Sequence, residues 1–197
     1  MNTTEVTELQ KYIHILKDKQ GCSDDYDEKM KDYALKNINN LCESPEYAKG
    51  IVKSYPAAQD AFLEYDGFSV LMRTLQSEVE KLQIKTARML NKIILSRKEF
   101  QDNLYKLGYV HQLLELLQTT HNASHKHFLV MLNNLVTDHD GCLEICRNPS
   151  VALEGTLNLK IDSIEGIPHF SEELKYAKKL LITCFPHRLH DMDKTCT

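Results

Sequence analysis

The chain has 197 residues, and only 12 of them (7 Gly and 5 Pro) are strong turn-formers, too few for an all-β sandwich or a doubly wound α/β sheet. An apolar fraction of 42% can fill a core, which excludes a wholly disordered chain. The balance of 24 Lys and Arg against 28 Asp and Glu gives a net charge of −4, so no general electrostatic pull toward nucleic acid or an anionic membrane is expected.

The first expected helix carries Val6, Leu9, Ile13 and Leu16 at helical spacing, with Asn2 and Glu5 in a capping-box arrangement. An acidic loop, Gly21 to Asp27, separates it from a second helix over Asp27 to Cys42, which Ser44-Pro45 terminates. From Pro56 onward helical patterns fall near 57–65, 67–76, 79–95, 98–106, 109–118, 124–137 and 139–146. Asn148-Pro149 breaks the chain, a short helix is expected near 150–158, and Gly166-Ile167-Pro168 breaks it again. Ser171 is expected to cap a last helix, with Glu172 and Glu173 in its first turn and Leu174, Ala177, Leu181 and Cys184 on its inner face. The tail from Pro186 is polar, and no segment reads as a strand.

No run of apolar residues is long enough to span a membrane, and the acidic start from Met1 to Lys11 does not read as a signal peptide. A cytoplasmic protein is therefore expected, with its six cysteines as reduced thiols and Cys42, Cys146 and Cys184 as small core residues.

An internal repeat decides the architecture. Adding 42 to Phe68, Leu71, Met72 and Leu75 gives Val110, Leu113, Leu114 and Leu117. Adding 42 to Met89, Leu90, Asn91, Ile93 and Ile94 gives Met131, Leu132, Asn133, Leu135 and Val136. Two helices repeating in one register, at a period near 42, match arrays of the armadillo and HEAT kind. The Gly turn in Leu107-Gly108-Tyr109, between an ending and a starting helix, favours armadillo. The expected fold is all-α: an armadillo-like right-handed superhelix of helical repeats with capping helices. Residues 1–55 would hold N-terminal capping helices and a partial repeat, 56–148 the repeats, 149–185 C-terminal caps, and 186–197 a tail. Phe68, Leu71, Leu75, Leu90, Ile93, Val110, Leu113, Leu117, Leu132 and Leu135 should be buried. A solenoid of this kind binds partners on its concave face. By register, Lys85, Arg88, Asn91 and Lys92 in one unit, and His127, Asn133 and Asn134 in the next, are candidates to line it.

One family resembles this chain closely. The run Phe62-Leu63-Glu64-Tyr65-Asp66-Gly67-Phe68-Ser69-Val70-Leu71-Met72-Arg73 is similar to the armadillo core of the heat-shock-protein-70-binding, or Fes one, family of nucleotide exchange factors. So are Lys81 to Ala87, Thr120-His121 with His125-Lys126-His127, Leu135 to Asp138, Glu172-Glu173-Leu174, Lys179-Leu180-Leu181 and Thr183-Cys184-Phe185. A fainter likeness covers Leu35 to Tyr47. The resemblance implies a co-chaperone of the cytosolic branch that grips the ATPase domain of heat-shock protein 70 and speeds ADP release. It implies no enzyme activity, no cofactor, and a monomer with neither nucleic acid nor membrane as partner. Lys81, Lys85, Asn91 and Asn134 are the expected partner contacts, the lysines facing an acidic lobe surface and the asparagines bridging by hydrogen bonds. Between Tyr47 and Gln59 the chain departs from the family, as though part of the middle repeats were missing. The alternative is an armadillo scaffold that binds a peptide or protein without affecting nucleotide exchange.

Other chemistry is set aside. His121, His125 and His127 suggest a zinc site, yet no carboxylate or Cys lies at ligand spacing beside them. Cys142 and Cys146 read as packing residues. No Gly-rich phosphate loop or nucleophile elbow is present.

Overall fold

The computed structural model describes residues 63, 66–95, 97 and 99–186. The expected helices before residue 57, the segment between Tyr47 and Gln59, and Cys22, Cys42 and Cys196 lie outside them. The described residues contain helices and no strand. The chain divides into two compact units, Met1–Ser96 and Arg97–Thr197.

In the first unit, helix α1 (Gly67–Leu75) packs against helix α2 (Glu80–Ile94). Asp66 takes a left-handed conformation (φ 56°) just before α1, and its carboxylate accepts a 2.7 Å hydrogen bond from Ser69 Oγ. That bond offsets part of the strain a non-glycine residue carries there. Phe68, Leu71 and Leu75 face inward from α1, and Ala87, Leu90, Ile93 and Ile94 from α2. Gln83 reaches back to donate to the carbonyl of Ser77 at 2.8 Å, which holds the connecting turn against α2.

The second unit contains helices α3 (Glu99–Lys106), α4 (Tyr109–Leu117), α5 (His125–Thr137), α6 (Asp140–Arg147), α7 (Leu153–Ile164) and α8 (Ser171–Cys184). Helix α5 is the centre: α4, α6 and α8 all pack on it, α8 most extensively. Phe128, Leu129, Met131, Leu132 and Leu135 are essentially inaccessible. Gly108, at φ 78°, makes the turn from α3 to α4. It stands 42 residues after Asp66 (108 − 66), so the left-handed turn repeats along with the apolar register, ahead of two helices of nine residues each. All ten residues expected in the core are buried, none above 4% exposed. The all-α repeat reading holds.

Two local expectations need correction. The helix expected near 150–158 is α7, Leu153–Ile164, preceded by a 3-10 turn over Pro149–Val151. Pro149 favours that tight start, and Ala152 at φ 49° separates the turn from the helix. The helix then runs through Gly155 until Gly166, at φ 78°, redirects the chain. Ser171 does not cap α8. It is the first helical residue, because a second 3-10 turn, Pro168–Phe170, leads straight into the helix.

Candidate functional site: a basic helix face and a buried polar cluster

The residues expected to meet a partner stand on helices analogous by register, one in each unit. On α2, Lys81, Lys85, Arg88 and Lys92 follow one another at spacings of 4, 3 and 4, so they share one face. Lys81, Arg88 and Lys92 are exposed and Lys85 is half-buried. Such a stripe presents four cations over about 17 Å of helix, at 1.5 Å per residue.

Moving that stripe by 42 gives Ala123, His127, Val130 and Asn134, with Ala123 just before α5 and the other three on it. Asn134 therefore occupies the register position of Lys92 and is half-buried. Asn91 is the counterpart of Asn133, one position to the side. Asn91 is 9% exposed, and Asn133 is 1% exposed. Asn133 Nδ2 donates to the carbonyls of Leu129 (2.8 Å) and Tyr176 (3.0 Å). It ties α5 to α8, so it lines no surface, contrary to its expected place. Asn91 is buried as well, whereas Lys81, Lys85 and Asn134 are exposed or partly exposed. Hydrophobic periodicity places both helices correctly, but it cannot separate adjacent polar positions that straddle the edge of the buried face.

Around α5 and α8 the structure assembles a cluster that sequence spacing did not foresee. Glu173, on the first turn of α8, is 3% exposed, and Lys160, on α7, is 9% exposed. Lys160 Nζ lies 3.2 Å from Glu173 Oε1 and 2.9 Å from His125 Nδ1. His121 Nε2 lies 3.0 Å from Glu173 Oε1. The ammonium has only protons to give, so His125 Nδ1 must accept. The ring hydrogen of His125 then sits on Nε2, 3.5 Å from Thr119 Oγ1. Burial, then the charge of Lys160, then His121, push the His125 pKa down to about 3, so its ring stays neutral. The neighbouring Glu172 points outward instead and pairs with Lys126 at 2.8 Å, which lowers its carboxyl pKa.

A carboxylate does, then, stand beside the histidines, though 52 residues from His121 in sequence (173 − 121). The ligand atoms of His121, His125 and Glu173 lie within 4.8 Å of one another, a separation that would suit a metal ion. Lys160 already supplies positive charge in their midst, so the cluster is balanced by an internal cation. His127 stands apart from it, half-buried on α5.

Near α6, His139, Cys142 and Asp102 have the composition of a nucleophilic triad but not its chemistry. His139 Nδ1 accepts from the backbone N–H of Cys142 at 3.1 Å, capping α6, and its Nε2 faces Asp102 at 3.1 Å. Burial first, and then the charge of Asp102, push the Cys142 pKa up to about 12, so no thiolate is available at neutral pH. No described helix is long and apolar enough to cross a membrane.

Comparison with known proteins adds identity to this geometry. No family model matches the chain. Two engineered proteins of known structure share the fold: one at TM-score 0.54 and 18% identity, covering 93% of this chain and 80% of its own, the other at 0.53 and 20%, covering 89% and 47%. Hsp70-binding protein 1 of Rattus norvegicus is 37% identical over 145 residues, 73% of this chain and 41% of its own length. The Mus musculus protein matches to the same extent, and the Homo sapiens protein at 37% over 40% of its length. The match thus spans about two fifths of these curated relatives. Over those 145 residues, the chain belongs to the Hsp70-binding family of which Hsp70-binding protein 1 is a member.

Proposed function

We propose that this protein is a co-chaperone that binds the ATPase domain of heat-shock protein 70 and promotes release of ADP. The observation carrying this reading is the 37% identity to proteins named for Hsp70 binding, over 73% of the chain. The cationic stripe of α2 supports it, because four aligned cations suit an acidic protein surface. Lys81, Lys85, Asn91 and Asn134 supply the contacts, Asn91 being the most buried of the four. Exchange then follows from differential binding. A factor that prefers the open conformer of the ATPase domain shifts the population toward it, which weakens the ADP site. No nucleotide site of its own is required, and the reading includes no enzymatic step. A cytoplasmic monomer with repeats over 56–148, capped by 1–55 and 149–185, completes the proposal.

The test is a binding titration with the Hsp70 ATPase domain at low and high salt. Charge reversal by Lys81→Glu with Lys85→Glu should weaken binding at least tenfold at low salt, while circular dichroism stays unchanged. The wild-type affinity should fall as salt rises. Unchanged affinity in the folded double variant would overturn the basic-face assignment. Failure of the wild type to bind at all would favour a scaffold for another partner.

A further inference from the structure

The buried cluster of the second unit gathers its polar groups around a cation. Lys160 reaches it from α7, Glu173 from the first turn of α8, His125 from the first residue of α5, and His121 from the segment before α5. The Lys160 ammonium lies 2.9 Å from His125 Nδ1 and 3.2 Å from Glu173 Oε1, so two atoms of metal-ligand type already converge on one positive charge. His121 Nε2 stands beside them, 3.0 and 3.2 Å from the two carboxylate oxygens. An Hsp70 interface built on Lys81, Lys85, Asn91 and Asn134 uses none of these four groups.

We propose that His121, His125 and Glu173 form a zinc site, in which Zn²⁺ takes the place of the Lys160 ammonium and ties the segment before α5 to the start of α8.

The ligand atoms of the three residues lie within 4.8 Å of one another. Two ligands of one tetrahedral zinc ion, each about 2.1 Å from it, stand about 3.4 Å apart. The His121–Glu173 pair already has a separation of that size, so His125 has to close in by at most about 1.4 Å. His125 presents the right atom. Its Nδ1 accepts from Lys160, so a lone pair points into the cluster, and its ring proton sits on Nε2, 3.5 Å from Thr119 Oγ1. Thr119 gives its own hydrogen to the carbonyl of Leu116 at 2.7 Å, which leaves its lone pairs to accept. An outer partner of this kind fixes the tautomer and the orientation of a metal-bound histidine. His121 binds through Nε2 with its ring proton on Nδ1. Phe170 packs edge-on against that ring, 5.2 Å between centroids, and limits its rotation. The His121 side chain is 37% exposed, which gives the ion a path from solvent.

Two imidazoles and one carboxylate suit zinc, whereas Mg²⁺ and Ca²⁺ take oxygen ligands. Zinc and the ammonium cannot share the cluster, since both need the same lone pairs of His125 and Glu173. In the metal-free chain Lys160 fills the place. Its flexible four-carbon stem lets it carry the charge out to solvent when zinc arrives. A divalent ion then faces the carboxylate where a monovalent one stood, and a fourth coordination position is left for water.

The experiment strips the full chain of metal with a chelator, removes the chelator, and titrates zinc chloride by calorimetry. Cobalt chloride, followed by its absorption spectrum, reports the ligand type. The wild type should bind one zinc ion per chain and gain a higher thermal midpoint, which magnesium chloride should not produce. The cobalt form should show the intense visible bands of a tetrahedral site and no thiolate charge-transfer band. His121→Ala should weaken zinc binding at least about tenfold, since losing even an outer partner of a ligand costs that much, while circular dichroism stays unchanged. Lys160→Met should bind zinc more tightly than wild type, because the competing ammonium is gone. Absence of zinc binding by the wild type at micromolar concentrations would overturn the proposal. So would thiolate bands in the cobalt spectrum, which put the ion on cysteines, or equal zinc affinity in folded His121→Ala. The wild type alone gives the first two results, so the test survives a variant that fails to fold.

Discussion

Replacing Glu173 by Gln tests the buried cluster most severely. The substitution keeps the shape of the side chain and removes its charge. Lys160, with its side chain 8% exposed, would then hold an ammonium in the protein interior with no anion beside it. At 3.2 Å the lost attraction is about 5 kcal/mol for an effective dielectric of about 20. Much of that value only offsets the cost of burying both charges, so the pair adds little net stability while intact. Breaking one half leaves the desolvation of the other uncompensated, which costs about 3–5 kcal/mol. The loss of the His121 contact at 3.0 Å adds to it. Set against a typical stability of about 5–15 kcal/mol, Glu173→Gln should leave the fold marginal or unfolded at 37 °C. Urea titration followed by circular dichroism measures the loss. The double variant Lys160→Met with Glu173→Gln should recover most of it, because both charges are then gone. A cost below about 1 kcal/mol for Glu173→Gln alone would refute the claim that Lys160 depends on this carboxylate.

Two further outcomes follow from the same packing. Leu132→Ala removes a fully buried side chain from the centre of α5 and should cost about 2–5 kcal/mol, whereas Leu159→Ala, at a position 74% exposed, should change stability by less than about 0.5 kcal/mol in the same urea titration. His125 has its folded pKa lowered to about 3 from an ordinary 6.5, so the unfolded chain takes up this proton first as the pH falls. Its share of stability is therefore complete above pH 6.5 and is lost progressively from 6.5 down to 3, at up to about 1.4 kcal/mol per pH unit. Over that window His125→Gln should show a shallower fall in stability than wild type, and equal slopes would contradict a buried neutral ring.

Much of the fold is legible in the sequence because solenoid helices declare themselves by repetition. The doubled register from Phe68 to Val136 locates α1, α2, α4 and α5 and their cores, since one spacing serves every unit. Helix boundaries near Pro149 and Pro168 were less legible. There, 3-10 turns compete with side-chain capping for the same free N–H groups, and only the backbone geometry shows which prevails. The buried cluster was the least legible part, because His121, Lys160 and Glu173 are joined by folding rather than by spacing. A signal was nonetheless present. Lys160 falls on the apolar stripe of Leu153, Leu157, Ile161 and Ile164, and Glu173 begins the stripe that continues through Ala177, Leu180 and Cys184. Opposite charges on two inward faces suggest a partnership, but not which histidines complete it. On α2 the basic stripe could be read directly, since exposed cations at helical spacing need no tertiary information. The division of Asn91 and Asn133 from Asn134 needed the burial of each side chain.

The central claim is that this chain hastens nucleotide exchange on heat-shock protein 70. The direct measurement is stopped-flow release of a fluorescent ADP analogue from the Hsp70 ATPase domain, with this protein in excess, absent, or carrying Lys81→Glu and Lys85→Glu. The wild type should raise the release rate in a saturable way, and the double reversal should lose most of that increase. A release rate unaffected by saturating wild-type protein that demonstrably binds the ATPase domain would contradict the exchange function.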